Sequence, residues 1–165
     1  MTRPLVRFLR RFRRCDDGAA LAEFALILPL LLLFFAVTIE GARLMWSYQA
    51  TIAGVRDATR YLGRTVQTDI CTTGGSLAAW EDRVTAIVRD TADGSSLFPA
   101  SITIDRVTPT LTCYSGGYRL ATTPVATVTA ELTITWPFAG VLAVFGTTLP
   151  DSRTQVADTG RVFGA

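Results

Sequence analysis

The chain has 165 residues and a net charge of +2. It contains no histidine and no lysine, and its sixteen basic residues are all arginines. This length suits one modest domain together with a membrane segment. The missing residue types exclude imidazole bases, imidazole metal ligands, Schiff-base lysines and Walker-type lysines, and with them most catalytic templates. We therefore expect no catalytic residues, cofactor, metal site or small-molecule substrate.

The charge is concentrated at the N-terminus. Residues 1–18 contain six arginines and two aspartates, a net charge of +4, whereas the remainder contains ten arginines and twelve acids, a net charge of −2. Because no basic face recurs after this segment, we expect no nucleic-acid partner. Residues 1–14 are predicted to be a disordered orientation signal, with a short amphipathic helix as the alternative. Residues 15–18, Cys-Asp-Asp-Gly, are predicted to break any helix.

An apolar segment follows, and it contains no charge between Phe24 and Ile39. Together with the small residues before it, this segment reaches the roughly 20 residues that a helix needs to cross a bilayer. Glu23 stands out, because a carboxylate near the membrane centre costs on the order of 3 kcal/mol and usually marks a function. Pro29 is predicted to bend the helix. The positive-inside rule predicts a single pass with the arginine-rich end in the cytoplasm.

The helix is predicted to continue beyond the membrane to about Arg64. An apolar stripe recurs every three or four residues: Leu44, Tyr48, Ile52, Val55, Thr59 and Leu62. Arg56, Arg60 and Arg64 share another face, which we interpret as solvated. A second helix is predicted over Leu77 to Asp93, with Ser76 as its N-cap. Its core stripe would be Leu77, Trp80, Val84, Ile87, Val88 and Thr91.

Two of the three cysteines, Cys71 and Cys113, lie beyond the predicted span, whereas Cys15 accompanies the arginine cluster. One pair outside the cytoplasm predicts a disulfide. It would close a loop of roughly 43 residues and contribute at most about 4 kcal/mol in the chain-entropy model. The alternative is two unrelated buried thiols.

The last third of the chain has strand patterns. Ile102 and Ile104 begin a first strand, residues 111–114 form a short second strand that carries Cys113, and Gly116-Gly117 makes a turn. Residues 125–136 alternate most clearly, with Val128, Ala130, Leu132, Ile134 and Trp136 on one face. Residues 138–149 are apolar but too short for a second span, so we interpret them as a packed loop or a patch near the bilayer. A poorly patterned strand over residues 154–162 completes a predicted α+β fold with a small antiparallel sheet packed on helix.

The segment from Gly18 to Leu62 resembles the N-terminal module of TadE-like proteins, the minor pseudopilins of tight-adherence (Flp) pilus systems. The resemblance rests on Gly18 followed five residues later by the Glu23-Phe24 pair, on Leu28-Pro29-Leu30 within the span, and on Glu40-Gly41-Ala42-Arg43 after it. It also includes the helix that ends at Arg60-Tyr61. The strand ending in Trp-Pro-Phe is similar, more loosely, to the family's C-terminal region.

This resemblance implies that a membrane aspartyl prepilin peptidase cuts between Gly18 and Ala19 on the cytoplasmic side. The basic leader, residues 1–18, would be discarded, and Glu23 would become the fifth residue of the mature chain. Its carboxylate would pair with the N-terminal amine of a neighbouring subunit. Residues 19–65 would form the membrane and projecting helix, and residues 66–165 a pilin-like extracytoplasmic head.

The partners implied by the resemblance are the inner membrane, the prepilin peptidase, other pilins and minor pseudopilins, and the pilus assembly platform. The implied location is the inner membrane, with the N-terminus in the cytoplasm and the head in the periplasm, and the pilus itself after assembly. Because the head is far larger than a bare Flp-type helix, an initiation, tip or base role is favoured over bulk filament.

Three other interpretations remain open. A secretory signal would give a free head, but the apolar stretch is long for one and Glu23 precedes it. A signal-anchored extracytoplasmic domain with an unknown binding role explains the span but not the spacing of Gly18 and Glu23. A membrane-anchored enzyme would require a concave acidic cleft in the β-rich part.

Overall fold

The computed structural model describes residues 17–90, 94–117, 122–143, 146 and 149–164. They form an α+β protein with a very long N-terminal helix, a second short helix and a three-stranded antiparallel sheet. This architecture confirms the predicted fold class. The predicted leader lies outside the described residues except for its last two positions.

Helix α1 runs from Asp17 to Thr65, a total of 49 residues, which corresponds to a rod of about 73 Å. The predicted helix break is wrong at Asp17 and Gly18, since both are already helical; Cys15 and Asp16 lie outside the described residues. A glycine costs a helix only about 1 kcal/mol, so the apolar run that follows carries the helix through these two positions. The helix also continues across Pro29.

The C-terminal half of α1 is the centre of the core. The predicted stripe is confirmed, because Val55, Thr59 and Leu62 are buried, and Leu44, Tyr48 and Ile52 are half-buried. Small residues that the stripe did not include are buried beside it: Ser47, Thr51 and Ala58. The hydroxyls of Thr51 and Thr59 donate to carbonyls one turn earlier, at 2.8 and 2.9 Å. Thr51 and Thr59 are therefore buried without losing their hydrogen bonds, whereas Oγ of Ser47 has no hydrogen-bond partner among the described residues.

The second helix is shorter than predicted. Helix α2 covers Glu81–Arg89 and follows a 3-10 turn at Ala78–Trp80. The predicted N-cap at Ser76 is wrong, because neither element has a side-chain cap. The predicted end at Asp93 is also wrong: Asp90 is already extended and pairs with Ser96. Thr91 and Asp93 themselves lie outside the described residues.

Helix α2 buries the predicted face. Leu77, Val84 and Val88 are buried, with Trp80 and Ile87 half-buried. It crosses α1 at Gly54, where an added Cβ would lie 3.1 Å from the Cα of Val88. A side chain at this position would require the two helices to separate by a few tenths of an ångström, so the close approach, and not the backbone conformation, favours glycine here.

The sheet is a meander in the order β1-β2-β3, with strands Ile102–Ser115, Thr122–Ile134 and Ser152–Arg161. A short helix α3, Ala139–Ala143, lies in the connection from β2 to β3. Val128, Ala130, Leu132 and Ile134 are buried against the helices, as predicted. The final strand is confirmed with small boundary changes.

Two predictions about the sheet are wrong, and a third is covered only in part by the described residues. The separate strand at residues 111–114 is wrong, because β1 is continuous and its pairing register shifts between Ile104 and Arg106. Trp136 lies beyond the end of β2 rather than within it. Of the predicted turn, Gly116 and Gly117 do follow the end of β1, and residues 118–121 lie outside the described part of the chain.

The sheet approaches α1 closely at its β3 edge. An added Cβ on Gly160 would lie 2.6 Å from Cγ2 of Thr59, and one on Gly63 would lie 3.0 Å from the carbonyl oxygen of Arg161. The backbone N–H of Phe163 donates to the carbonyl of Gly63 at 2.8 Å. These contacts fix the head on the projecting half of α1.

Candidate functional site

The N-terminal half of α1 exposes its apolar side chains. The exposed large residues in this stretch are Leu21, Phe24, Leu26, Ile27, Leu30, Leu31, Leu32, Phe34, Phe35, Val37 and Ile39. The most apolar 18-residue window of the helix has a mean hydropathy of 2.5, and only 6% of it is buried. A core helix of a water-soluble domain would be mostly covered by its own chain. By length and composition this helix qualifies as a membrane span.

Gly18 and Glu23 lie at the start of this exposed segment. Both are on the first turns of α1, about 7.5 Å apart along the helix axis. Gly18 has open space around it, with nothing within 4 Å of an added Cβ. Within the described residues the Glu23 carboxylate has neither a hydrogen-bond nor an ion-pair partner. Phe24 beside it is 61% exposed. The structure thus places all members of the predicted processing motif on an uncovered helix surface.

A second acid, Glu40, ends the apolar stretch and has a partner far away in sequence. Its Oε1 accepts a hydrogen bond from the backbone N–H of Phe138 at 2.8 Å. Glu40 is half-buried, whereas Gly41 and Ala42 after it are exposed. In the sequence, Glu40 marks only the end of the apolar stretch and belongs to the motif Glu40-Gly41-Ala42-Arg43. Because the two partners are 98 residues apart in sequence, the local pattern of apolar residues cannot predict this contact.

An apolar hollow of about 290 Å³ surrounds this contact. The lining residues come from α1 and from the connection between β2 and β3: Ala36, Val37, Glu40, Gly41, Leu44, Trp136, Phe138, Ala139 and Leu149. Ala36 and Val37 belong to the predicted span. The described part of residues 138–149, predicted to be a packed loop or a patch near the bilayer, therefore packs beside α1 at the outer end of the apolar stretch.

Three arginines lie along the exposed side of the C-terminal half of α1, with an aspartate among them. Arg56, Arg60 and Arg64 are exposed, as predicted for a solvated face. The guanidinium of Arg60 lies 3.6 Å from the carboxylate of Asp57, with both side chains well over half exposed. Exposed ion pairs of this kind contribute little to stability. The pair of Arg60 and Asp57 therefore adds little to the stability of the fold.

The disulfide predicted from Cys71 and Cys113 is present, with the two Sγ atoms 2.02 Å apart. It joins the loop after α1 to the distal end of β1. The same loop is held by the buried side chains of Val66 and Ile70. The head is therefore closed at the end opposite to the apolar hollow.

The β-rich part carries a hollow that is partly lined by acidic residues. An open hollow of about 460 Å³ on the outer face of the sheet is lined by Asp105, Glu131 and Arg153, among others. Oδ2 of Asp105 accepts a hydrogen bond from the hydroxyl of Thr133 at 2.6 Å. In the described part of the chain, no group of three or more His, Cys, Asp or Glu residues could hold a metal ion.

These features define a class of protein: in the described part of the chain, one helix qualifies as a membrane span, and it continues directly into an α+β domain. Comparison with known families narrows the class. Residues 18–60 match the sequence model of a family described as TadE-like protein. The match spans about a quarter of the chain and confirms the resemblance carried by the Gly18, Glu23 and Glu40 motifs. Over these residues the chain is similar to the TadE-like family. Comparisons with curated proteins and with solved structures found no match.

Proposed function

We propose that this chain is a minor pseudopilin that takes part in the assembly of a tight-adherence pilus, as an initiating, tip or base subunit. The observation that supports it best is the TadE-like match over residues 18–60, combined with an uncovered apolar helix segment that carries Gly18 and Glu23 near its N-terminal end. The family is one of pilus components, and we infer a structural rather than an enzymatic role.

In this proposal the chain enters the inner membrane with its N-terminus in the cytoplasm. A prepilin peptidase cuts between Gly18 and Ala19, which removes the arginine-rich leader and leaves a new α-amine. A small residue before the cut lets the protease approach the backbone closely. Residues 19–65 then act as the membrane and projecting helix, and residues 66–165 as the extracytoplasmic head.

Glu23 would set the register of the assembled subunit. Its carboxylate has no partner among the described residues, and it is flanked by Phe24 and other exposed apolar side chains. A charge in such surroundings is costly unless it is paired. The N-terminal amine of a neighbouring subunit is a partner of opposite charge at matching membrane depth. The exposed apolar face of α1 would pack against the neighbour's helix.

The N-terminus of the protein isolated from its native membranes tests the processing step. We expect intact mass and terminal sequencing to show a chain that begins at Ala19. Gly18→Val should abolish this cleavage. Gly41→Val is the matched control, because it lies on the same helix and also has nothing within 4 Å of an added Cβ. A chain that retains residues 1–18 would support a signal-anchored domain, and a chain that begins near Arg43 would mean a secreted head.

The assembly role has its own test. Glu23→Gln should leave the protein in the membrane and cleaved, but should prevent pilus formation, because the amide cannot pair with a charged amine as a carboxylate does. Glu131→Gln changes another exposed acid, on the outer face of the sheet, and should have no effect. Normal pili in the Glu23→Gln strain would contradict the proposed role.

A further inference from the structure

The connection from β2 to β3 contains a long uncharged segment, residues 136–149, which we name the return segment. Its sequence is Trp-Pro-Phe-Ala-Gly-Val-Leu-Ala-Val-Phe-Gly-Thr-Thr-Leu, whereas charged residues occur on either side, at Glu131 and Asp151. An apolar surface of this kind is unusual on a water-facing loop, where contiguous apolar patches mark an interaction site.

The return segment lies beside α1 at Glu40, the first charged residue after the apolar stretch, and at residues on the N-terminal side of Glu40. Glu40 holds Phe138 through the 2.8 Å hydrogen bond to its backbone N–H. Ala36 lines the same hollow as Trp136 and Phe138, and it lies one helical turn, about 6 Å, nearer the centre of the span than Glu40. Ala36 is 8% exposed, although Phe35 and Val37 beside it are more than half exposed. The described part of the return segment therefore reaches the depth of the span.

The hollow between the return segment and α1 is open and almost wholly apolar. Val37 and Leu149 at its margin are 58% and 39% exposed. Glu40 is the charged residue in the lining, and its carboxylate is engaged by Phe138. The hollow is continuous with the exposed apolar surface of α1, which runs from Leu21 to Ile39. Whatever solvates that surface also reaches the hollow.

We propose that the described part of the return segment, residues 136–143 and 149, lies in the outer part of the bilayer, at the interface of the extracytoplasmic leaflet, and that phospholipid acyl chains fill the hollow. This inference rests on the proposed membrane orientation of α1 and adds a second lipid-contacting element to the head. Trp46, 53% exposed on α1, and Trp136 are suited to such an interface, where tryptophan is enriched. The head is then held against the membrane at two places, and the return segment must leave the lipid before the subunit enters a fibre.

Depth-dependent tryptophan quenching tests this arrangement on the full chain in phosphatidylcholine vesicles whose acyl chains carry bromine atoms. The chain has three tryptophans, so Trp46→Phe with Trp80→Phe leaves Trp136 as the single reporter. We expect shallow bromines to remove most of the Trp136 emission. A variant that keeps Trp80 alone, on the turn before α2, should lose almost none. Acrylamide in the water should quench Trp136 less than Trp80.

A further reporter separates this inference from the proposed membrane anchor. Phe34→Trp, with the three native tryptophans changed to Phe, places a reporter in the middle of the exposed apolar stretch. Quenching of this reporter together with an unquenched Trp136 would overturn the inference and leave the anchor standing. If neither is quenched by bromine, the anchor itself fails and the inference with it.

A second copy of the chain is the competing occupant of the hollow. In that case Trp136 would be shielded from both bromine and acrylamide, and dilution of the protein in lipid would remove the shielding. This result would overturn the proposal.

A charged substitution gives an independent test. Leu149→Glu should reduce the bromine quenching of Trp136, whereas Phe163→Glu, at an exposed apolar position near the C-terminus, should not. Equal quenching in both variants would contradict lipid contact at Leu149.

Discussion

Glu40 joins two parts of the chain that are 98 residues apart. A charged acceptor shortens and strengthens a hydrogen bond to a backbone N–H, which is worth about 1.5–3 kcal/mol when the group is not fully solvated. The carboxylate of Glu40 is half-buried, so the lower part of this range applies. The bond fixes where the return segment meets α1.

We therefore predict that Glu40→Ala frees the backbone N–H of Phe138. Its hydrogen exchange should accelerate about ten-fold or more, the equivalent of roughly 1.4 kcal/mol of lost local stability. Exchange measured by mass spectrometry on the full chain in detergent micelles would show this. Glu81→Ala, at an exposed acid of α2, should leave exchange near Phe138 unchanged. Unaltered protection in Glu40→Ala would mean that packing alone holds the segment.

The contact of Gly160 with Thr59 is a second residue-scale constraint. The Cβ of Gly160→Ala would lie 2.6 Å from Cγ2 of Thr59, whose hydroxyl is bonded to the carbonyl of Val55. The strand must shift away from α1, and we expect the free energy of unfolding to fall by about 1–3 kcal/mol. Urea denaturation in micelles measures this.

The partner residue supplies the control for this prediction. Thr59→Ser removes the obstructing methyl group and keeps the hydroxyl, so it should restore much of the stability lost in Gly160→Ala. Gly117→Ala, where nothing lies within 4 Å of the new Cβ, should change little. A Gly160→Ala protein as stable as the original would show that the strand tolerates a small displacement.

At the scale of helices and strands, sequence periodicity predicted which residues are buried more accurately than it predicted the residue at which each helix or strand ends. The stripes of α1 and α2 and the alternation of β2 follow from repeats of 3.6 and 2 residues, which only require one buried face. The boundaries depend on other contacts. Helix α2 ends at Arg89 because Asp90 joins a bridge with Ser96, and the carbonyl of Arg89 accepts from Leu97 instead.

Strand β1 shows why a continuous strand was mistaken for two. Ile102 and Ile104 face the core, but after the bulge the next buried residue is Val107, one position out of phase. A bulge changes the alternation without ending the strand. The same distinction applies to the candidate site. Gly18 and Glu23 belong to a local sequence motif and could be predicted, whereas the hydrogen bond between Glu40 and Phe138 depends on tertiary structure.

The disulfide gives a prediction for the loop after α1. Cys71 and Cys113 are separated by 42 positions, and opening such a loop costs at most about 4 kcal/mol of unfolding free energy in the chain-entropy model. We expect a reductant to lower the urea midpoint of the original protein. The double variant Cys71→Ser with Cys113→Ser should start at the lower midpoint and not respond to reductant. An unchanged midpoint on reduction would mean that Val66 and Ile70 hold the loop by themselves.

At the scale of the whole molecule, α1 is one uninterrupted helix from Asp17 to Thr65. The span and the core of the head therefore share a single rod. The rotation of the head about the membrane normal is then fixed relative to the face that carries Glu23. A signal-anchored domain has no use for this coupling, whereas an assembly subunit whose helix and head both contact neighbours depends on it.

Insertions within the exposed apolar stretch test this coupling. Each added residue turns the two ends of a helix by about 100° and separates them by about 1.5 Å. Two leucines inserted after Leu32 turn Glu23 to nearly the opposite side, by about 200°. Four leucines turn it by only about 40° while lengthening the span twice as much. We expect pilus formation to be lost with two residues and at least partly retained with four, and membrane insertion to be retained in both. Electron microscopy of surface pili, with membrane fractionation as the control, gives the readout. Equal assembly with two and four inserted residues would mean that the head acts independently of the direction in which Glu23 points. Loss of assembly in both variants would mean that assembly depends on the length of the span rather than on its rotation.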